Sequence, residues 1–279
     1  MREVGPDQVS DLIEADLGPG ARGYFTTRGL QGVSPLGGHD GDARARSLDG
    51  REASVFEGWN LALHVGDDPQ RVHRHRRRLE DLLELDRDQH LAWMNQVHSS
   101  VVAAARAEQV PTADALVLDS RVAGAPAGCC VLVADCVPLL LLTGNRPLAA
   151  AVHVGRGGLL AGIAVKAVDE LRRRGGEDVS AVLGPSICGR CYEVPPSMRD
   201  EADALAPGAA ATTSWGTPSV DIPRALVRQL ASRGVEEVRL LGVCTFEDPA
   251  YFSHRRACAA GGKAGRFAGI AEATRDTPA

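Results

Sequence analysis

No run of 18 apolar residues occurs in this 279-residue chain, which excludes a conventional membrane-spanning helix. No secretory leader is expected either, because Met1 to Leu17 is charged and polar, with no apolar stretch behind a basic cap. An excess of positive charge is absent too. The formal net charge is -5 at pH 7, so nothing global draws the chain to a phosphate backbone, and neither nucleic acid nor a membrane is expected as a partner. A cytoplasmic protein is therefore expected. In a reducing compartment its seven cysteines are expected as buried apolar residues, ligands or nucleophiles rather than disulfides. No internal repeat is evident, so the 44% hydrophobic content is expected to fill the core of one domain spanning residues 1–279.

The Gly-rich, charged segment around residues 32–52 has little periodicity and reads as a flexible insertion. Beyond it, Asp67-Asp68-Pro69 offers an N-cap and a first-turn proline, and Val72, Leu79, Leu82 and Leu83 supply the apolar face of a helix reaching about Leu85. The basic run Arg74-His75-Arg76-Arg77-Arg78 on that helix is expected as a solvated face. From residue 91 onward the pattern turns to strands. Apolar runs at Ala115 to Leu118, Cys130 to Val133, Leu139 to Leu142 and Leu148 to Val152 are bounded by turn-forming residues. A helix from about Gly158 to Arg174, a strand at Ala181 to Leu183, a helix at about Pro223 to Ser232 and a strand at Val238 to Val243 follow, with Ala206 to Thr213 as a loop. This alternation predicts an α/β (α+β) domain, layered around a mixed β-sheet.

Three apolar stretches each run into a potential metal ligand: Asn95-Gln96-Val97-His98, Val133-Ala134-Asp135-Cys136 and Ala150-Ala151-Val152-His153. Strands ending in donors gather side chains from distant sequence around one site. His98, Cys136 and His153 together are one ligand short of a closed tetrahedron, the condition of a catalytic rather than a structural zinc. Val137-Pro138 is expected to interrupt the strand and turn the Cys136 thiol out of the sheet. The adjacent Cys129 and Cys130 are expected in the core. After His153, Val154-Gly155-Arg156-Gly157-Gly158 reads as a strand-to-helix turn that serves either tight packing or an anion, but it lacks the GxxxxGK[ST] spacing of a P-loop. Cys188-Gly189-Arg190-Cys191 is half a zinc site or a redox pair with no second C-x-x-C to partner it, and a structural or peripheral role is expected.

The order of these motifs resembles the YfiH family, also called the multicopper polyphenol oxidase or laccase-domain family, from about Gly23 to Gly269. The resemblance is carried by Phe25-Thr26-Thr27-Arg28-Gly29, Asn60-Leu61-Ala62-Leu63-His64-Val65-Gly66-Asp67, Gln96-Val97-His98, Asp114-Ala115-Leu116, Ala134-Asp135-Cys136-Val137-Pro138 and Val152-His153-Val154-Gly155. Further on it continues through Leu183-Gly184-Pro185-Ser186-Ile187, Cys191-Tyr192-Glu193-Val194, Cys244-Thr245, and Phe252-Ser253-His254-Arg255-Arg256 with Gly265-Arg266. The resemblance implies a fold likened to cysteine hydrolases and zinc ligands on His98, Cys136 and His153. It also implies a purine nucleoside phosphorylase acting on adenosine, inosine, guanosine or methylthioadenosine with phosphate, together with adenosine deaminase activity. Copper-dependent polyphenol oxidation and editing of peptidoglycan precursors by a cysteine-type hydrolase or amidase are the rival attributions.

For those reactions Arg28, His64 and Arg156 are the candidates to bind phosphate and substrate, and Cys136, His64 and Arg28 the candidates for catalysis. In the hydrolase alternative Cys136 is the nucleophile, with His153 or His98 as its base. Copper would call for a weak axial ligand, and of Met1, Met94 and Met198 only Met94 lies near a ligand in sequence. The chain departs from the family's His-Ala-Gly-Trp-Arg-Gly in having Arg156 at the tryptophan position and Gly157 at the arginine position. A monomer is the favoured state.

Overall fold

The computed structural model describes residues 11–16, 21–29, 56 and 58–273, so the insertion expected around residues 32–52 lies outside the described residues. In chain order the elements are β1 (Leu12–Asp16), β2 (Ala21–Thr26), α1 (Pro69–Leu82), β3 (Leu91–Ala92), β4 (Val102–Ala104), β5 (Ala115–Asp119), β6 (Gly128–Val133), β7 (Val137–Thr143) and β8 (Leu148–Val154). There follow α2 (Arg156–Leu160), α3 (Ile163–Arg173), β9 (Val179–Leu183), α4 (Pro196–Leu205), β10 (Ala210–Thr212), β11 (Pro218–Val220), α5 (Ile222–Ser232), β12 (Val238–Leu240), α6 (His254–Ala259) and β13 (Phe267–Ala273).

The expected mixed α/β character holds, with the strands divided between two large sheets. One sheet has the order β1-β2-β13-β6-β3 and the other β12-β9-β7-β8-β5-β4, while β10 and β11 form a hairpin. Side-chain alternation explains the layering. Leu140 and Leu142 of β7 and Ala149 and Ala151 of β8 face Phe25, Val131, Val133 and Phe267 between the sheets. Leu139, Leu141, Ala150 and Val152 face the opposite way, onto Ile163, Val168, Leu226 and Leu230 of α3 and α5. Cys130, Leu132 and Ile270 pack outward on Leu79 of α1. Both cysteines of the Cys129-Cys130 pair are therefore core, one on each face of β6.

Helix α1 starts as its sequence predicts, with the Asp68 carboxylate accepting from Gln70 N–H and Pro69 in the first turn. Leu82, expected on the buried face, is exposed because the helix ends there. The basic run is less solvated than expected: Arg76 stacks 3.9 Å above the Trp93 ring and donates to Leu61 O, and His75 Nδ1 lies 2.8 Å from Asn60 O. The long helix expected after residue 158 is broken in two, because Gly162 at φ 71° lies outside the helical region. Helix α4 and part of the supposed Ala206 to Thr213 loop, now β10, are elements that the apolar pattern did not reveal; α4 buries only Ala202.

Register places the chemistry. Antiparallel pairing sets Pro138 opposite His153 and Ala115 opposite Val152, so the start of β7, the end of β8 and the start of β5 meet at one end of the six-stranded sheet.

On β13, Glu272 stands opposite Arg22, and its Oε1 is buried with no hydrogen-bond partner among the described residues. Burial pushes its carboxyl up to about 7, with Arg22 offsetting only part of the effect. The folded value exceeds the ordinary 4.5, so the stability this group contributes is complete below pH 4.5, falls as pH rises to about 7 and is flat above that. Glu272→Gln is expected to remove that slope from urea-unfolding free energies and to raise stability above pH 7 by about 2–3 kcal/mol. An unchanged pH profile would show that Glu272 ionises normally in the folded chain.

Candidate metal centre

His98, Cys136 and His153 converge, their donor atoms all within 4.8 Å of one another. The His98 and His153 rings meet edge to face at 4.6 Å, and Cys136 Sγ lies 3.7 Å from His98 Nε2. His153 sits in β8 as predicted, and Cys136 occupies the turn between β6 and β7. Two local expectations need correction. His98 does not end a strand: Asn95 makes one isolated bridge to Thr112 and the chain then turns, with His98 at φ 59°. Pro138 does not interrupt β7; it is the second residue of that strand, and the thiol is aimed instead by Asp135 at φ 86°.

Each turn is held by polar side chains. Gln96 pairs with the backbone of Leu132 in both directions, donating to its O at 2.7 Å and accepting from its N–H at 2.8 Å, and so acts as a strand neighbour where no strand continues. Asp135 accepts from Thr245 Oγ1 at 2.7 Å and from Arg255 N–H at 2.6 Å, which offsets the cost of its left-handed backbone.

Asp114, quoted in the sequence only as part of the family resemblance and given no role there, is the residue that ties the candidate site together. Fully buried, it accepts from His98 N–H at 3.0 Å and from Ser99 N–H and Oγ, both at 2.6 Å, and pairs with His153 Nδ1 at 2.8 Å. One carboxylate therefore fixes the backbone of one donor residue and the ring of another. Burial alone would raise its pKa, but the bonds from His153 and Ser99 prevail and hold it well below the usual carboxylate range. A carboxylate on one imidazole nitrogen leaves the other, Nε2, to serve as ligand.

Burial opposes ionisation of Cys136, yet His153 and His98 beside it bring the thiol down to about 6. His153 shows the reciprocal effect: burial would lower it, but Cys136 and Asp114 carry it up to about 9. The arrangement favours a thiolate beside a protonated His153, whose Nε2 proton a bound metal would replace. Two imidazoles and a thiolate are a donor set that fits zinc, or copper, with a position left open.

Glycines make the convergence possible. A Cβ on Gly155 would stand 2.7 Å from His98 Cδ2 and 3.0 Å from Cys136 Sγ. This supports tight packing as the role of the turn after His153. A cavity of about 480 Å³ opens over His98 and Cys136, lined also by Arg156, Tyr192, His254 and Arg255 among others, while His153 is buried outside its lining. A second cavity of similar size, between residues 183–189 and α5, contains none of the three donors.

Of the other predicted residues, Arg156 lines the first cavity and is paired at 3.2 Å with Glu201. Arg28 lies 5.1 Å from the Phe252 ring centre, outside that lining. His64 is also outside it; desolvation and then the charges of Arg266 and Arg76 hold its pKa below the ordinary value. Arg256 donates to the backbone oxygens of Thr245, Phe246, Asp248 and Tyr251, so it organises a loop. Met94 is buried in the core between the sheets.

Two stacked mixed sheets with a His-Cys-His cluster at the end of one define a layered α/β protein with a candidate metal centre. Residues 45–273 match the family model described as multi-copper polyphenol oxidoreductase laccase, and the chain belongs to this family, which includes the YfiH and DUF152 proteins. It is 41% identical over 213 residues to a Streptomyces coelicolor protein named purine nucleoside phosphorylase, covering 74% of this chain and 86% of that protein. A Mycobacterium tuberculosis protein of the same name is 40% identical over 227 residues, 79% and 87% of the two chains. Among solved structures, YlmD from Geobacillus stearothermophilus superposes with a TM-score of 0.75 at 25% identity, covering 96% of this chain and 98% of that one. Among the described residues, no helix is long and apolar enough to cross a membrane.

Proposed function

We propose that the chain is a zinc-dependent purine nucleoside phosphorylase that also deaminates adenosine, with the cavity over His98 and Cys136, next to His153, as its active site. The observation that carries this reading is the convergence of those three donors, two of which, His98 and Cys136, line a cavity of about 480 Å³ that also has arginine side chains in its walls. Supporting it are the relatives named purine nucleoside phosphorylase.

Phosphorolysis joins a phosphate oxygen to the anomeric carbon as the bond to the purine breaks, so the site must hold an anion and supply a proton to the leaving base. Arg156 and Arg255 are the cations in the lining, and His98 and His254 are the imidazoles there. The half-buried Tyr192 ring, with Arg255 5.2 Å from its centre, offers a flat wall for a purine. Arg28 and His64, outside this lining, are assigned to the approach of phosphate and substrate. Zinc, when bound by His98, Cys136 and His153, supplies the Lewis acidity needed to activate water for attack at C6 of adenosine. Asp114 keeps His153 aimed at the site, and Asp135 keeps Cys136 there.

The test is incubation of metal-quantified protein with adenosine, inosine, guanosine and methylthioadenosine, with and without phosphate. Free base and a ribose 1-phosphate are expected only with phosphate; phosphate-dependent release from none of the four rejects the reading. Arg156→Ala is expected to raise KM for phosphate roughly tenfold with a smaller change in kcat. An unchanged phosphate KM would remove Arg156 from the anion site.

A second reading is a thiol hydrolase, favoured by the order Asp114, His153, Cys136, in which a carboxylate orients a histidine beside a cysteine. Activity in metal-free protein whose Cys136 is alkylatable would support it over the first.

A further inference from the structure

We propose that Cys188, Cys191, Cys244 and Glu247 form a second metal site, a closed four-ligand zinc site that clamps the two segments bracing the Cys136 turn. The four donor atoms lie within 4.8 Å of one another, and none belongs to the first centre.

The geometry arises from two neighbouring strands. β9 and β12 pair in parallel, and the chain continues beyond both at the same end of the sheet. Ser186 N–H donates to Val243 O, and Thr245 N–H to Ser186 O, both at 3.1 Å. Each segment then makes the same kind of turn. Cys188 O accepts from the N–H groups of Cys191 and Tyr192, and Cys244 O accepts from those of Glu247 and Asp248. Each turn therefore presents donors three residues apart, Cys188 with Cys191 and Cys244 with Glu247, like two knuckles facing each other. The partner that the C-x-x-C motif lacks in sequence is a C-x-x-E.

The chemistry goes beyond apolar packing. Cys191 Sγ lies 3.3 Å from Glu247 Oε1, and Cys188 N–H points at Cys244 Sγ from 3.5 Å, the kind of contact that supports a thiolate ligand. Arg190, inside the first turn, stands 3.7 Å from Glu247 Oε2, where it offsets the surplus negative charge of three thiolates and a carboxylate around a dication. A disulfide would use two of the sulfurs and strand the third with the carboxylate. Three soft donors and one carboxylate in a closed set select zinc in a structural role.

The clamp reaches the first centre through adjacent residues. Ile187, beside Cys188, donates its N–H to Asp135 O at 2.9 Å, and Thr245, beside Cys244, donates to the Asp135 carboxylate. Zinc at the second site therefore tightens the grip on Asp135 and, through it, on Cys136.

The test measures zinc per chain in full-length protein purified under reducing conditions, loaded with zinc alone and freed of excess by gel filtration. Wild type is expected to hold two zinc ions and the His98→Ala/Cys136→Ser variant one. In that variant, cobalt(II) loading is expected to give strong thiolate-to-metal charge-transfer absorption, abolished by adding Cys244→Ser. Cys188→Ser/Cys191→Ser is expected to hold one zinc at the first centre and to melt at a lower temperature. Should this variant fail to fold, His98→Ala/Cys136→Ser decides alone. A folded His98→Ala/Cys136→Ser protein that retains no zinc overturns the proposal, and so does a disulfide among Cys188, Cys191 and Cys244 in the freshly purified chain.

Discussion

Asp114→Ala is expected to destabilise the chain by about 3–5 kcal/mol, the scale for removing one member of a buried, hydrogen-bonded charge pair, and to weaken zinc binding roughly 10- to 100-fold. Both effects have the same origin. The carboxylate is the common acceptor for the backbone of His98, the backbone and hydroxyl of Ser99, and the ring of His153. Alanine leaves the buried His153 ring and the part-buried donors of His98 and Ser99 without that partner and frees the two imidazoles to drift apart. Asparagine is expected to be intermediate, because its carbonyl can still accept from His98 and His153 while its amide meets the Ser99 donors head on. The pH dependence has a definite sign. The folded carboxyl lies below its ordinary value of 3.8, so its contribution is present above that pH and is lost as pH falls through the folded value. Acid unfolding of Asp114→Ala should therefore begin from a lower plateau but show a shallower loss. Urea midpoints at constant slope, with chelator competition for zinc, measure the two effects separately; a variant with wild-type stability and affinity would rule out this role for Asp114.

How much of this was legible beforehand follows from where each signal resides. Strands β6, β7 and β8 announce themselves because both faces are buried, so their sequences are continuous apolar runs between Gly, Pro and Asp. Helices α1 and α5 carry their own start signals, Asp68 with Pro69 and Asp221 with Pro223. β13 is built largely of Ala and Gly, and it is a strand because β2 and β6 pair with it on both sides. The convergence of His98, Cys136 and His153 was legible from donor residues placed after apolar runs, but the local structure around His98 was not. Its turn is imposed by Asp114 and Gln96, which act across the fold, and no local pattern encodes that. The same reason hid Cys244 and Glu247: glutamate is too common to signal a ligand until the parallel exit of β9 and β12 sets it against a C-x-x-C.

Gly155→Ala is expected to lower zinc affinity and catalytic turnover by about 100-fold, the effect of a roughly 1 Å displacement in an active site, while stability falls far less. Gly155 has φ -83° and ψ 177°, a backbone that any residue adopts, so conformational freedom is not what the position requires. Space is the requirement. The added methyl would stand 2.7 Å from His98 Cδ2, 3.0 Å from Cys136 Sγ and 3.3 Å from His98 Nε2, distances that atoms must open. Cys136 is tethered through Asp135, whereas the exposed His98 ring can swing into solvent, so His98 is the donor that gives way. The fold survives because the clash is relieved at its surface; the site does not, because two donors remain where three are needed. Gly162→Ala supplies the opposite case. Its Cβ would meet nothing within 4 Å, but φ 71° penalises any side chain, so a loss of about 1 kcal/mol in stability is expected with zinc affinity unchanged. Chelator competition and urea unfolding on the two variants should thus separate in opposite directions. A Gly155→Ala protein that binds zinc as wild type does would mean that His98 is not held against Gly155 as this geometry requires, and the assignment of His98 as third ligand would fall with it.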